Sequence, residues 1–282
     1  MSTRLITVFG ATGAQGGDVV KALLAGEKFK VRGITRSVES KKAKELASQG
    51  VEMVQANFDE PESLHKAIAG SYGVFLLTNF WDGMDGARET NQGKSAVDVC
   101  LQEGVKHLIY SGLENVEKMH GFVVEHFDSK GRVEDVRIAG YFNNFLTFWK
   151  PKKLDDGTYV LDLAMEGKPM YGMDVEDFGE CVASIFNEPK SYGGKIIGLA
   201  TEYLTMEQFC DVFSKALAPR VFKDAKQTAD QMEKLGFPGA DLFATMFRLY
   251  QKGIDRDIAL TKKLNPKAKS WEEFVVSHKE YF

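Results

Sequence analysis

Cysteine is scarce in this chain of 282 residues. The three cysteines, Cys100, Cys181 and Cys210, are widely spaced, and the five histidines show no metal-ligand spacing. Three widely spaced cysteines match neither a disulfide framework nor a zinc-ligand pattern, so neither a disulfide scaffold nor a metal is predicted. We expect three buried thiols in a reducing compartment, the cytoplasm, with nuclear entry left open.

Long apolar runs and an excess of basic residues are also lacking. No apolar run approaches the ~20 residues that a membrane-spanning helix needs, and no signal-peptide pattern precedes the first predicted strand. The 36 Lys and Arg residues against 40 Asp and Glu residues give a net charge of −4. A chain that is not basic gives no reason to expect nucleic acid or an anionic membrane surface as a partner.

Short apolar runs and helical patterns alternate through the first 140 residues. Strands that are apolar on both faces are typical of a parallel sheet covered by helices. The sequence therefore predicts an α/β fold, a Rossmann-type doubly wound parallel sheet. The predicted strands are 5–9, 30–35, 51–55, 73–78, 107–111 and 136–140, and the predicted helices are 15–25, 40–48, 61–69, 88–103 and 122–134.

The second half of the chain has a different pattern. We predict strands near 159–163 and 193–199, a helix at 205–218, and a mainly helical tail from 224 onward. The expected division is a dinucleotide-binding domain over residues 1–145 and a smaller, mostly helical lobe over residues 146–282.

A glycine-rich turn follows the first predicted strand. Glycines recur at every third position from Gly10 to Gly16, and a strand, a glycine turn and a helix start together make a socket for a pyrophosphate. The residues expected to contact a dinucleotide here are Gly10, Ala11, Thr12, Gly13, Ala14 and Gln15.

Arg36 stands at the end of the second predicted strand, where the type of dinucleotide is selected. NAD sites usually place Asp or Glu there, whereas a guanidinium suits the 2′-phosphate of NADP. Arg36 therefore predicts NADP(H) as the cofactor, with Lys41 on the next helix as a weaker contact. Glu39 would repel the phosphate and soften that preference.

Further contacts are expected where later strands end, because ligands of open α/β sheets bind at the carboxyl edge. Asn57 and Phe58 follow the third strand and are expected to border the adenine. Thr78, Asn79 and Phe80 follow the fourth and are expected to line the ribose and nicotinamide side.

Lys130 has the spacing of the short-chain dehydrogenase lysine, four residues after a catalytic tyrosine. That lysine holds the nicotinamide ribose and lowers the tyrosine pKa. In this chain the tyrosine position holds His126. We expect Lys130 to contact the ribose, and His126 and Tyr110 are weak alternatives for a proton donor.

Several motifs of the chain belong together: GATGAQGG at 10–17, TR at 35–36, TNFW at 78–81, YSGLEN at 110–115, HFDSK at 126–130 and YFNN at 141–144. With these motifs the chain resembles the NmrA-like family, which comprises atypical relatives of the short-chain dehydrogenases. The resemblance extends over the whole length and looks strongest to the animal members that sense NADPH.

The resemblance implies an NADP(H)-binding regulatory protein whose association state and partners change with the NADPH/NADP balance. It adds Tyr141, Phe142, Asn143 and Asn144 to the expected cofactor contacts. It also implies argininosuccinate synthase as a protein partner, a homodimer, and residence in cytoplasm and nucleus. Two alternatives stay open: an NADPH-dependent reductase of a quinone or carbonyl substrate, and a dinucleotide fold that has lost its ligand.

The connection before residue 136 is unusually short. The helix predicted to end at 134 runs directly into a strand, whereas such connections normally take 2–6 residues. The family has about ten more residues at this point, which would complete the helix and the turn.

Overall fold

The computed structural model describes residues 3–131 and 136–282, which form two compact units. The first unit comprises Met1–Arg137 and Val175–Ile197, and the second comprises Ile138–Asp174 and Gly198–Phe282. Neither unit is one continuous stretch of chain, so this division differs from the predicted boundary at residue 145. The short connection noted above falls on residues 132–135, outside the described residues.

The strands are short and lie close to the predicted positions in the first half. They are β1 (Arg4–Val8), β2 (Phe29–Thr35), β3 (Glu52–Gln55), β4 (Gly73–Leu76), β5 (His107–Gly112), β6 (Val136–Ile138), β7 (Gly140–Tyr141), β8 (Lys152–Lys153), β9 (Tyr159–Leu161), β10 (Met170–Met173), β11 (Ile197–Leu199), β12 (Glu202–Leu204) and β13 (Phe222–Asp224).

The helices cover more of the chain than the strands do. They are α1 (Ala14–Ala25), α2 (Lys41–Ser48), α3 (Pro61–Ile68), α4 (Gly86–Gln102), α5 (Val116–His120), α6 (Glu125–Gly131), α7 (Phe178–Asn187), α8 (Pro189–Tyr192), α9 (Met206–Ala216), α10 (Ala229–Glu233), α11 (Ala240–Lys252), α12 (Ile258–Leu264) and α13 (Trp271–Ser277). None of the helices in the described part of the chain combines the length and the apolar character that crossing a membrane requires.

A seven-stranded sheet has the order β11-β6-β5-β4-β1-β2-β3, and the pairings from β3 across to β6 are parallel. The order from β3 to β6 is that of a dinucleotide-binding sheet, and it reverses between β1 and β4. All four residues of β4 are buried, as expected for a strand covered on both faces. The predicted doubly wound α/β fold is confirmed.

Helix α7 is the part of the first unit that returns from later in the sequence. Phe178 packs against Phe75 of β4, with ring centroids 5.9 Å apart, and Phe186 packs against His107 of β5 at 5.0 Å. A sheet this apolar needs a helix on each face, and α7 supplies part of that cover.

The second unit has two three-stranded sheets, β12-β10-β7 and β13-β9-β8, and an aromatic core. Phe145 lies 4.8 Å from Trp271 between ring centroids and 5.3 Å from Phe209. Helices α9 and α13 carry this core, and each begins with a capping box, at Thr205 and Ser270.

Two predicted elements differ from the structure. The helix predicted at 122–134 begins at Glu125, as α6, and it is preceded by a separate, unpredicted helix α5 that Gly121 ends in the left-handed conformation, with φ of 74°. The strand expected at 136–140 is divided, since β6 joins the large sheet and β7 pairs with β10.

Candidate functional site

The glycine turn connects β1 to α1 at the point where the strand order reverses. Gly10 adopts φ of +64°, and its carbonyl accepts a hydrogen bond from the Gly13 amide at 2.8 Å. Gly13 caps α1 and has no side chain that could bond to the first helical amides. Those amides lack intrahelical partners, so the helix start is a place for an anion.

Gly16 allows the turn to lie directly against α1. A Cβ atom at this position would lie 2.3 Å from the Gly10 oxygen and 2.6 Å from the Phe9 oxygen. These distances are too short for any side chain, so glycine is required for this close approach.

Gln15 links the turn to a neighbouring strand. Its side chain is buried, and its Oε1 accepts a hydrogen bond from Ser111 Oγ at 2.6 Å. Ser111 lies in β5, two strands away from β1. The predicted contact of the Gln15 side chain with a dinucleotide stays a prediction, but the structure gives that side chain a role in holding the loop.

Arg36 lies just beyond β2, as the sequence predicts. Its side chain is 74% exposed, and its Nη1 donates a hydrogen bond to Asp82 Oδ1. Lys42 Nζ donates to the Thr12 carbonyl at 3.3 Å, whereas Lys41 points along its own helix toward Glu45, 3.9 Å away. Lys42 is therefore nearer to the glycine turn than the predicted Lys41.

Glu39 does not stand alone beside Arg36. Its carboxylate lies 2.8 Å from Lys44 Nζ, and the hydrogen bond from Lys44 lowers the pKa of Glu39. Its charge is partly balanced by Lys44, so the expected repulsion of a phosphate is weaker than the sequence suggested.

Asn57 and Phe58 follow β3 at the same edge of the sheet. Asn57 lines a surface pocket of ≈ 650 Å³ together with Arg36, Ser63 and Lys66. The Asn57 amide nitrogen Nδ2 donates to Glu60 at 3.2 Å, and Phe58 stacks on Phe9, with ring centroids 5.1 Å apart. Asn57 and Arg36 thus share one pocket, while the Phe58 ring packs beneath the end of β1.

Thr78 and Lys130 meet inside the first unit. Lys130 Nζ donates to the Thr78 carbonyl at 2.6 Å, to Thr78 Oγ1 at 3.0 Å and to Glu89 Oε1 at 2.5 Å. Burial lowers the pKa of Lys130, and Glu89 opposes that shift. An ammonium group has three donors, so a ribose hydroxyl would have to replace one of these acceptors.

Glu89 was not singled out by the sequence. It is 2% exposed, and its Oε2 accepts a hydrogen bond from Ser129 Oγ at 2.5 Å. A buried lysine needs a buried counter-charge. This requirement predicts a carboxylate near Lys130 and could have pointed to Glu89 on α4, the helix that follows Thr78.

Tyr110 and His126 are the weak proton-donor alternatives, and both are buried. The Tyr110 hydroxyl lies 2.9 Å from Thr78 Oγ1. The His126 ring lies 5.4 Å from Trp81 and 5.8 Å from Phe80, and its Nδ1 has no hydrogen-bond partner among residues 3–131 and 136–282. Burial, reinforced by Lys130, lowers the pKa of His126 to about 4, so the imidazole is neutral at physiological pH.

Asn79 and Trp81 are exposed at this edge of the sheet, and Phe80 is buried between them in the chain. Phe80 packs edge-on against Trp81, with ring centroids 5.4 Å apart. Of these three residues, Asn79 and Trp81 therefore have side chains that solvent or a ligand can reach.

The segment Tyr141–Asn144 belongs to the second unit. The Phe142 ring is fully buried, 5.0 Å from Trp271 between centroids. The Asn144 carbonyl accepts a hydrogen bond from the Trp149 amide at 2.9 Å. The Phe142 side chain thus belongs to the hydrophobic core, and cofactor contacts by Tyr141, Phe142, Asn143 and Asn144 stay predictions.

Comparison with known proteins gives a consistent assignment. The NmrA-like family pattern matches residues 2–275. An NmrA-like family domain-containing oxidoreductase of Aspergillus versicolor is 32% identical over 253 residues, covering 78% of this chain and 70% of that protein. Another, from Malbranchea aurantiaca, is 34% identical over 247 residues, covering 74% and 72%.

Solved structures show the same fold at lower identity. NmrA, a negative transcriptional regulator in complex with NADP, is 20% identical with a TM-score of 0.80, covering 99% of this chain and 96% of that chain. An NADPH-dependent quinone oxidoreductase of Escherichia coli, complexed with NADPH, is 22% identical with a TM-score of 0.77, covering 98% and 99%. The sheet order, the glycine turn and the family match agree, and the chain belongs to the NmrA-like family.

Proposed function

We propose that this protein binds NADP(H) at the carboxyl edge of the seven-stranded sheet and acts as a regulatory sensor of the NADPH/NADP balance. The observation that carries the binding proposal is the glycine turn: the start of α1 has no side-chain cap, so its first amides are available to a pyrophosphate, and the missing Cβ at Gly16 lets the turn pack directly against the helix. Arg36 lies at the end of β2 with most of its side chain exposed, where a 2′-phosphate is recognised.

The described residues at this edge are suited to binding a dinucleotide, but they do not provide the proton-donating side chain that a reductase uses beside hydride transfer. When bound, NADPH would supply a hydride donor. The tyrosine position holds His126, which is neutral and surrounded by aromatic rings, and the ammonium group of Lys130 is engaged by Thr78 and Glu89. These features support sensing over turnover.

In a sensor, the free energy for switching comes from a difference in dinucleotide affinity between two states. The expected readout is a change in association state between NADPH and NADP, measured by light scattering. The partner implied by the family resemblance, argininosuccinate synthase, stays a prediction, as do the homodimer and nuclear residence.

A direct test compares NADPH and NADH binding by titration calorimetry. Arg36→Ala should raise the Kd for NADPH about tenfold, as expected for loss of a charge-assisted hydrogen bond, and should change the Kd for NADH little. Lys41→Ala is the matched control, because it removes a cation that points away from the turn. Equal losses for both dinucleotides in Arg36→Ala would contradict the role assigned to Arg36.

A reductase is the second proposal, because curated relatives that are 32% and 34% identical are named oxidoreductases. The test is NADPH oxidation with a panel of quinones and aldehydes. Turnover above ~1 s⁻¹ would lie within the ordinary enzyme range and would replace the sensor proposal. Absence of turnover together with a thermal shift specific for NADPH would support the sensor.

A further inference from the structure

Arg36 and Asp82 form an ion pair across the end of β1. Arg36 follows β2, and Asp82 ends the short 3₁₀ helix Phe80–Asp82 that comes after β4. In the sheet, β1 lies between β2 and β4. The pair therefore joins the two strands that flank β1, the strand whose carboxyl end leads into the glycine turn.

A second arginine, Arg88, also interacts electrostatically with Asp82. Arg88 is attracted to Asp82 and Asp85, although its guanidinium donates to Asp59 at 2.6 Å. The Asp82 side chain is 36% exposed, so it is reachable by a ligand as well as by Arg36. The Asp82 carboxylate therefore already occupies the Arg36 guanidinium, which the end of β2 presents.

We propose that Asp82 is a specificity-determining residue that competes with the 2′-phosphate for Arg36. This inference rests on the proposed NADP(H) site. A 2′-phosphate must displace the Asp82 carboxylate to reach the guanidinium, so NADPH binding loses the free energy of the broken ion pair. NAD(H) has a 2′-hydroxyl, which can donate a hydrogen bond to a carboxylate. Asp82 therefore reduces the difference in affinity between NADP(H) and NAD(H).

The expected size of the effect follows from the exposure of the pair. Exposed ion pairs are weak and are screened by salt, so removing the competitor should tighten NADPH about two- to fivefold. The gain should shrink as salt is raised, because the interaction is between exposed charges.

The experiment titrates NADPH and NADH into wild type, Asp82→Asn and Asp85→Asn. Asp85→Asn is the matched control, since it removes the same charge three residues away and asparagine keeps the helix cap that Asp85 provides to the Arg88 amide. Asp82→Asn should tighten NADPH about two- to fivefold without tightening NADH, and Asp85→Asn should have a smaller effect.

A double-mutant cycle with Arg36→Ala separates a direct contact from a general charge effect. In the Arg36→Ala background, Asp82→Asn should no longer tighten NADPH. The inference is overturned if Asp82→Asn leaves NADPH unchanged or weakens it, if Asp85→Asn has the same effect, or if the gain persists without Arg36. Failure of wild type to bind either dinucleotide would instead overturn the proposed function itself.

Discussion

At the scale of single residues, the backbone packs closely at Gly16 in the glycine turn. A Cβ at this position would push against the Gly10 and Phe9 carbonyls, so any other residue would change the path of the turn. Binding and folding both depend on that path, because the helix amides follow directly after it.

Gly16→Ala should therefore lower the free energy of unfolding by about 1–3 kcal/mol, as overpacking does, and should weaken NADPH binding. Gly26→Ala is the control: Gly26 has a helical conformation, and a Cβ there meets its nearest atom at an ordinary 3.6 Å. Urea unfolding and calorimetric titration check both. Equal behaviour of the two variants would contradict the requirement for glycine at 16.

At the scale of elements, one carboxylate connects two helices. Asp18 lies in α1, and its Oδ2 accepts a hydrogen bond from the Gly179 amide, at the start of α7, at 2.6 Å. Burial raises the pKa of Asp18 to about 7, against the lowering effects of Gly179 and Lys21. The pair of helices is thus joined through a group that titrates near neutral pH.

The pH dependence follows from the direction of that shift. Between the ordinary value of 3.8 and about 7, the native state holds more protons than the unfolded state, so stability falls as the pH rises. Asp18→Asn keeps an acceptor for Gly179 but does not titrate. In urea unfolding from pH 4 to 8, the free energy of unfolding of wild type should fall by roughly 4 kcal/mol more than that of the variant. Parallel profiles would argue against a titrating Asp18.

The Lys130–Glu89 pair joins α4 to α6. Lys130 has a side chain 12% exposed and Glu89 one 2% exposed, so removing either partner leaves a buried charge. Lys130→Met and Glu89→Gln should each cost about 3–5 kcal/mol of unfolding free energy, and the double variant should cost less than their sum.

An exposed pair provides the control for this cycle. Lys152 pairs with Asp162, but the lysine side chain is 65% exposed. Lys152→Met should change the unfolding free energy by less than about 1 kcal/mol. Additive losses in the Lys130 and Glu89 variants would show that the buried pair is not coupled.

The sequence predicts the elements of the first unit well because each strand is a short apolar run with a distinct turn. The glycine turn and Arg36 are also predicted, since both depend on residues adjacent to one strand end. Asp82 and Glu89 are not, because each acts through a partner more than 40 residues away, Arg36 and Lys130 respectively. Such pairings depend on strand order and helix packing, which no local pattern encodes.

At the scale of the whole molecule, the first unit is built from two separate stretches of chain. Its sheet is packed by α7, which lies after a long excursion into the second unit. The predicted boundary at 145 would separate α7 from the sheet that it covers.

A fragment of residues 1–145 should therefore lack a cooperative thermal transition, because Phe75 and His107 lose their packing against α7. Near-ultraviolet circular dichroism during heating checks this. The comparison is a fragment of residues 1–197, which retains α7 and should keep more native signal. A sharp transition in the shorter fragment at the midpoint of the complete chain would contradict this expectation.

The return of the chain to the first unit also has a consequence for biosynthesis. Domains generally fold as units while the ribosome is still adding residues. Here the first unit is complete only once residue 197 has left the exit tunnel, with the segment 138–174 already made. Until then the sheet face that α7 covers lacks this helix, and we expect nascent chains to expose an apolar surface there until α7 has left the ribosome.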